Sequence, residues 1–547
     1  MSRRRPLVSS CTRPATVVLT IAALAVGSLA AQDDHERHQH GAAPQDWVPE
    51  SVDMAASASD EARLFLNRGI EALHNFWYEA AREAFREAQQ LEPDFVLAVW
   101  GEAFSHHWPF GFSGGDLEEI RAALDRLAPT RRARAALAKT EREQRYLDAI
   151  EVLAGEGSEQ ERRRGFADKM RALTEDYPDD VEAWAFYAIS MFGTEQNIRG
   201  VPTARAEAAR AAKRVQAASP RHPGGLHYAI HALDTPDTAH EVLDAARVYM
   251  TVSTAASHAI HMPSHIFMQL AMWDDAIDVN RRAFEASEQW IAETGLEVHD
   301  RDYHAADFLH YSLLQEGRAT EAHSWVDEMA RLREGSDHWS EPWYEASWAA
   351  RERVEAEDWG AGPLPRSGFD GRAELVAAGM DAVMTGNLGE ANEILATVRS
   401  KIDEARESGS AQFPAVRWQV VEGELDGLIA AREGRIDDAR SALARAFEAF
   451  DHLPPPNETP DPVKPPYELL GDILLRAGQA DEAIDAYRRQ LELRRGRARS
   501  LIGLARAARA AGRDDVARDA YERLLVQWVN ADDGHPELAE AREFLGR

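Results

Sequence analysis

LGDILLRAGQADEAIDAY, residues 470 to 487, recurs as LARAARAAGRDDVARDAY, residues 504 to 521. Gly478 maps onto Gly512, Ala483 onto Ala517 and Tyr487 onto Tyr521, each at a spacing of 34. In both copies apolar residues fall at helical spacing on either side of a turn that contains glycine. Small residues stand where the two helices of a pair would cross. Such a unit cannot bury its apolar face alone, so it must stack on copies of itself.

This order of helix, glycine turn and helix at a period of 34 defines a tetratricopeptide (TPR) repeat. Residues 425 to 447, LDGLIAAREGRIDDARSALARAF, fit the same template, and PPPNETPDPVKPP fills the extra spacing before the next repeat as a stiff polyproline insertion. MTGNLGEANEIL (384 to 395) and LQEGRATEAHSWV (314 to 326) repeat the turn and second helix. FLNRGIEALHNFWYEAAREAFREAQQLEP (65 to 93) has the same order, ending at Pro93. The expected fold class is all-α, a TPR-type helical-hairpin solenoid from about residue 59 onward. Trp343, Trp348 and Trp359, followed by GAGPLPRSGFDG, break the pattern. Residues 341–371 are therefore expected to be a connector between an N-terminal helical domain, 59–340, and C-terminal repeats, 372–547.

The 547 residues carry a formal charge of -31, which argues against nucleic acid or an anionic lipid surface as a partner. Arg3, Arg4 and Arg5, the apolar run Ala15 to Leu29 and the small residues Ser28-Leu29-Ala30 read as a signal peptide over 1–30. The expectation is export to a periplasm or beyond, with no membrane insertion after cleavage. The single cysteine, Cys11, precedes the apolar run, so the mature chain would have neither disulfides nor thiolate chemistry. Residues 31–58, with His35, His38 and His40, read as a polar disordered linker.

Ten of the twenty histidines lie between His222 and His310. Setting the second helix WDDAIDVNRRAF (273 to 284) in repeat register places His258, His261 and His265 on its first helix, in HAIHMPSHIF (258 to 267). One period earlier, His261 and His265 map onto His227 and His231. Each pair is four residues apart, hence on one helix face. Neighbouring helices pack ~8–10 Å apart, so the four imidazoles are expected to meet at a shared point; the likeness to TPR repeats implies that these positions face the concave groove. Neutral imidazoles suit a divalent transition metal: zinc, copper or iron. Aligning DRDYHAADFLHY (300 to 311) through an insertion brings His304 to the place of His258 and Asp307 to that of His261, so both join the candidate set. Pro263 either starts a helix or kinks one. A polar peptide groove and plain structural histidines are the alternatives.

A second candidate set is Glu102, His106 and His107 in WGEAFSHHW (100 to 108). GFSGG (111 to 115) matches a serine-elbow pattern, but no strand precedes it, so Ser113 reads as a loop residue. Two functions fit. One is a scaffold that holds a metal, or a protein or peptide, in its groove. The other is a metal-dependent hydrolase or oxidase using the same histidines, with Asp307, Glu102 or His304 as a base.

NFWYEAAREAFREAQQLEPDFVLAVWGEAF, YPDDVEAWAFYAIS, RHPGGLHYAIHALD, HAIHMPSHIFMQLAMWDDAIDVN and DRDYHAADFLHYSLLQEGR resemble, in that order, a family of exported bacterial TPR proteins marked by the HMPSHIF motif. The resemblance covers roughly residues 60 to 330. It implies the solenoid and export, and no particular reaction; the HHWPF segment departs from the family pattern.

Overall fold

Tyr487 shows how the repeats interlock. Its ring fills the space beside Gly471 on the preceding helix and Gly503 on the following one; a Cβ at either glycine would stand 2.7 or 2.3 Å from it. Phe85 occupies the same kind of slot between Gly69 and Gly101, where an added Cβ would lie 2.4 Å from the ring. The spacing is sixteen residues on each side in both cases. The two ends of the chain thus use one packing device: an aromatic on the second helix of a pair, seated between glycines on the first helices.

The computed structural model describes residues 51–107, 115–194, 202–253, 255–336, 338–368, 371–408 and 413–547. The signal-like segment 1–30, most of the linker 31–58 and Ser113 lie outside these. Among the described residues every regular element is helical, and no helix is long and apolar enough to cross a membrane. Helices alternate in antiparallel pairs, such as Pro466–Arg476 with Ala480–Leu493 and Ala498–Ala510 with Asp514–Gln527. The turns between them hold Gly478 (φ 77°) and Gly512 (φ 69°), the left-handed conformation in which a side chain would be strained. The fold is a TPR-type solenoid.

Residues 341–371 differ from the expected connector. Ser340–Ala356 is a helix with Trp348 fully buried, packed between its neighbours in the stack. Of the described residues in this stretch, those at 357–368 lack regular structure. Of the tryptophans that masked the helical period there, Trp348 is core and Trp343 is half-buried against it.

The C-terminal repeats curl back onto the N-terminal half. Gln527 Nε2 and Trp528 Nε1 donate to the Gln315 carbonyl at 2.6 and 2.8 Å, and Arg495 donates to the Pro236 carbonyl at 3.0 Å. Buried Arg497 joins Glu355 (2.5 Å) from one half to Glu468 (2.7 and 2.9 Å) from the other. The proline-rich insertion crosses the same seam. Pro456 accepts from Gln269 at 2.7 Å, and Thr459 donates to Asp307 at 2.6 Å. The inner helices that carry the histidines are therefore covered by the chain's own later segments.

Candidate metal centre

Three first helices, one of them split in two, supply the histidines. Pro223–Leu233 begins at a proline that needs no N–H partner and is capped by His222, whose Nδ1 accepts from the Gly225 amide at 3.3 Å. His227 and His231 lie one turn apart on it. The next first helix is split into Ser257–His261 and Pro263–Gln269. Pro263 opens the second piece, so it both starts a helix and interrupts the longer one. His258 and His261 fall before the break and His265 after it. His304 lies at the start of Tyr303–Gln315.

The six rings form two groups of three: His227 with His231 and His258, and His261 with His265 and His304. Within each group the ligating nitrogens lie within 4.8 Å of one another. The single meeting point of His227, His231, His261 and His265 expected from the sequence is replaced by two adjacent points. Each combines an i,i+4 pair, which in the second group straddles the break at Pro263, with a histidine from the start of the next first helix. The groups are repeats of each other: His227, His231 and His258 map onto His261, His265 and His304 through the register that aligned them in sequence.

Hydrogen bonds fix the rings. His227 Nδ1 lies 2.7 Å from the His74 carbonyl, which can only accept, so Nδ1 carries the proton. Burial pushes this ring down to about 3, which keeps it neutral and leaves a lone pair on Nε2. His231 Nε2 and His258 Nε2 lie 3.0 and 3.2 Å from that lone pair. It can accept from only one of them.

The second group is more explicit. His261 Nδ1 donates to Asn280 Oδ1 at 2.6 Å, and Asn280 Nδ2 donates to the Ala276 carbonyl at 2.8 Å, which sets the amide's orientation. His265 Nδ1 donates to Asp234 Oδ2 at 2.8 Å, and Gln269 Nε2 holds the other carboxylate oxygen at 3.0 Å. Both Nδ1 protons are thus committed. The two Nε2 atoms face each other at 3.0 Å. Burial, then the neighbouring His265, pushes the His261 ring down to about 4. Two neutral imidazoles so placed oppose lone pair to lone pair, unless a proton or another cation stands between them. A zinc–nitrogen distance of ~2.0–2.1 Å puts tetrahedral neighbours roughly 3.3 Å apart, close to the observed separations. Orienting acceptors on the far nitrogen are the usual companions of metal-binding histidines.

Phenylalanines close the cluster. Phe76 packs on His227, His231 and His258 with centroids at 4.4, 5.8 and 5.2 Å, and it holds a φ of 56° to do so. Phe308 lies 4.8 Å from each of His261, His265 and His304. From the proline-rich insertion, Glu458 Oε2 comes to 3.8 Å of His304 Nε2.

A third cluster, His74, Glu182 and His222, sits behind the first group. Both histidines point Nε2 at the Glu182 carboxylate, at 2.8 and 2.9 Å. Because His222 Nδ1 accepts from a backbone amide, its Nε2 must carry the proton. That nitrogen is a donor here, which makes this a hydrogen-bonded brace beneath the His74 carbonyl. Gly224 leaves the room for it; a Cβ there would stand 2.7 Å from the His74 ring.

Several expected residues are elsewhere. Asp307 is bound by Arg351 (2.8 Å), Trp348 Nε1 (2.7 Å) and Thr459, which hold its carboxyl below the usual range despite its burial. Its place in the register is right, but the helix 340–356 supplies an arginine that takes the carboxylate. Glu102 is likewise engaged, by Arg86 and Arg126 at 2.6 Å each and Gln89 at 2.9 Å. His106 and His107 do not converge with it on a common point. Burial pushes His106 down to about 4 and His107 well below the usual histidine range, the latter packed against Phe104 and Phe166. The orienting residues Asn280 and Asp234 carried no signal in the sequence beyond lying near the motif.

The fold and site together define an all-helical TPR-type repeat protein with paired histidine clusters on its inner helices. Comparison with known proteins agrees on the class: a tetratricopeptide repeat is matched over residues 465–496. No curated protein matches the chain. Among solved structures, the chain is similar to the Cut9–Hcn1 hetero-tetramer of APC/C at 13% identity and a TM-score of 0.34, over 89% of this chain and 76% of that one. It is also similar to the human IFIT1 dimer with PPP-AAAA, at 12% identity and a TM-score of 0.33, over 88% and 99%.

Proposed function

We propose that the chain is an exported TPR scaffold that holds transition-metal ions at the two three-histidine groups. Support for export is the pattern of the first thirty residues, and the HMPSHIF resemblance points the same way. The metal reading rests on one observation above the others: His261 and His265 are buried, each has its Nδ1 proton committed, and their Nε2 atoms face each other at 3.0 Å. A metal ion satisfies both nitrogens at once. Buried neutral nitrogens held in this way are selective for zinc, copper or iron over magnesium and calcium, which prefer oxygen.

A protein or peptide partner fits the rest of the solenoid better than the histidines themselves, since residues 456 to 459 already occupy the groove beside them. Titration of the metal-free chain with cobalt(II), a spectroscopic stand-in for zinc, tests the reading. Two equivalents bound with the absorption of a nitrogen-ligated ion are expected. His261→Ala plus His265→Ala should leave one. Unchanged binding in that variant would remove the metal from this location.

A further inference from the structure

The two groups abut. The His231 and His265 ring centroids are 6.4 Å apart, and so are those of His258 and His261. Within the groups the corresponding spacings run from 4.5 Å, His261 to His304, to 6.1 Å, His231 to His258. Rings of one group are therefore almost as close to the other group as to each other. Ions held ~2 Å from each Nε2 become neighbours able to share a ligand between them.

The donor set is six imidazoles. Among the described residues there is no cysteine, since the chain's single one, Cys11, lies outside them. One carboxylate stands close to a converging nitrogen without bonding it, Glu458 at 3.8 Å from His304 Nε2; Asp234 sits behind His265, and Asp307 is taken by Arg351. Two divalent ions would bring four positive charges against two nearby carboxylates, Asp234 behind His265 and Glu458 beside His304, both at the second group; Phe76 and Phe308 close the rest. Burying charge without a counter-charge is costly. Two copper(I) ions bring half as much. Three neutral nitrogens complete a trigonal shell for copper(I), whereas zinc takes a fourth ligand. Five of the six histidines are buried and only His231 is partly exposed, so the approach suits a small molecule and not a peptide.

Building on the metal reading above, we propose that the two groups form one dicopper centre whose ligand is dioxygen. Each copper(I) gives up one electron and becomes copper(II). Dioxygen accepts both electrons, its double bond falls to a single bond, and it bridges the ions as peroxide through new copper–oxygen bonds. No proton moves and nothing leaves; release of dioxygen returns the electrons.

The test uses the full chain loaded with copper(I) under anaerobic conditions, with dioxygen uptake read at an oxygen electrode. About one dioxygen per two coppers is expected. Loaded in air, the same chain should contain two coppers per molecule by metal analysis, yet give little paramagnetic resonance signal, because bridged copper(II) ions pair their spins. His304→Asn and, in the other group, His258→Asn should each weaken one site, restore the resonance signal of the remaining copper and abolish uptake, with the helical circular dichroism of the parent. Two coppers per chain that are both visible by resonance, with no uptake, would overturn the dicopper centre. Uptake of zinc but not copper would overturn it too, while leaving the metal sites standing. Failure to bind any of these metals would overturn the metal reading itself.

Discussion

Replacing Asn280 with leucine separates an orienting role from a merely structural one. Asn280 is fully buried; its Oδ1 accepts the His261 Nδ1 proton at 2.6 Å, and its Nδ2 is held by the Ala276 carbonyl. Leucine is similar in size but accepts nothing. The His261 proton then has two courses. It stays on Nδ1 unpaired, at a cost of ~1–3 kcal/mol, or it moves to Nε2 and removes the lone pair that faces His265. Either course weakens metal binding at the second group and leaves the first, where His227 leans on the His74 carbonyl. Loss of such a partner typically lowers metal affinity about 10–100-fold, or ~1.4–2.7 kcal/mol. Competition against a chromophoric chelator, run on the parent, Asn280→Leu and Asn280→Asp, reads both sites. One site weakened by that factor in the leucine variant and retained in the aspartate variant is expected. Equal loss at both sites, or no loss at either, would refute the reasoning.

Gly224→Ala would drive a methyl group into the His74 ring, 2.7 Å away, and break the brace between His74, Glu182 and His222; we expect ~1–3 kcal/mol of destabilisation, read as a lower melting temperature by circular dichroism. Arg497→Ala removes the buried guanidinium that joins Glu355 to Glu468 and leaves Glu468 with Lys464, at 2.9 Å, as its cation; breaking such a buried pair costs roughly 3–5 kcal/mol and should loosen the closure of the two halves, seen as a larger radius in small-angle scattering. Burial, and Asp274 beside it, push the Glu316 carboxyl up to about 7. A carboxyl raised on folding binds its proton more tightly in the folded chain, so its contribution to stability is full below about pH 4.5 and is lost as pH rises through about 7. Glu316→Gln should therefore melt with the parent near pH 4.5 and above it at pH 8; parallel melting curves across that range would contradict the assignment.

The fold was legible because the repeat leaves several marks at once: the spacing of 34, the turn glycines and the small residues where paired helices cross. The tryptophan-rich stretch was misread for a physical reason, since Trp348 and its neighbours are buried in a helix whose period they obscure. At the site, register alone identified His227, His231, His258, His261, His265 and His304. Their division into two groups was not legible, because it depends on which helix start reaches which pair across a helix–helix contact. Asp307 fell in the same register and yet left the site. Its fate was decided by Arg351 and by Thr459, which lies 152 residues further along the chain. Glu458 arrives from the same proline-rich segment, and nothing in a local pattern announces contacts of that range.

Anomalous diffraction at a metal absorption edge, from crystals of the metal-loaded chain, tests the central claim most directly. Two peaks are expected, one enclosed by His227, His231 and His258 and the other by His261, His265 and His304. A single peak shared among His227, His231, His261 and His265, or no peak at these rings in a folded chain, would contradict it.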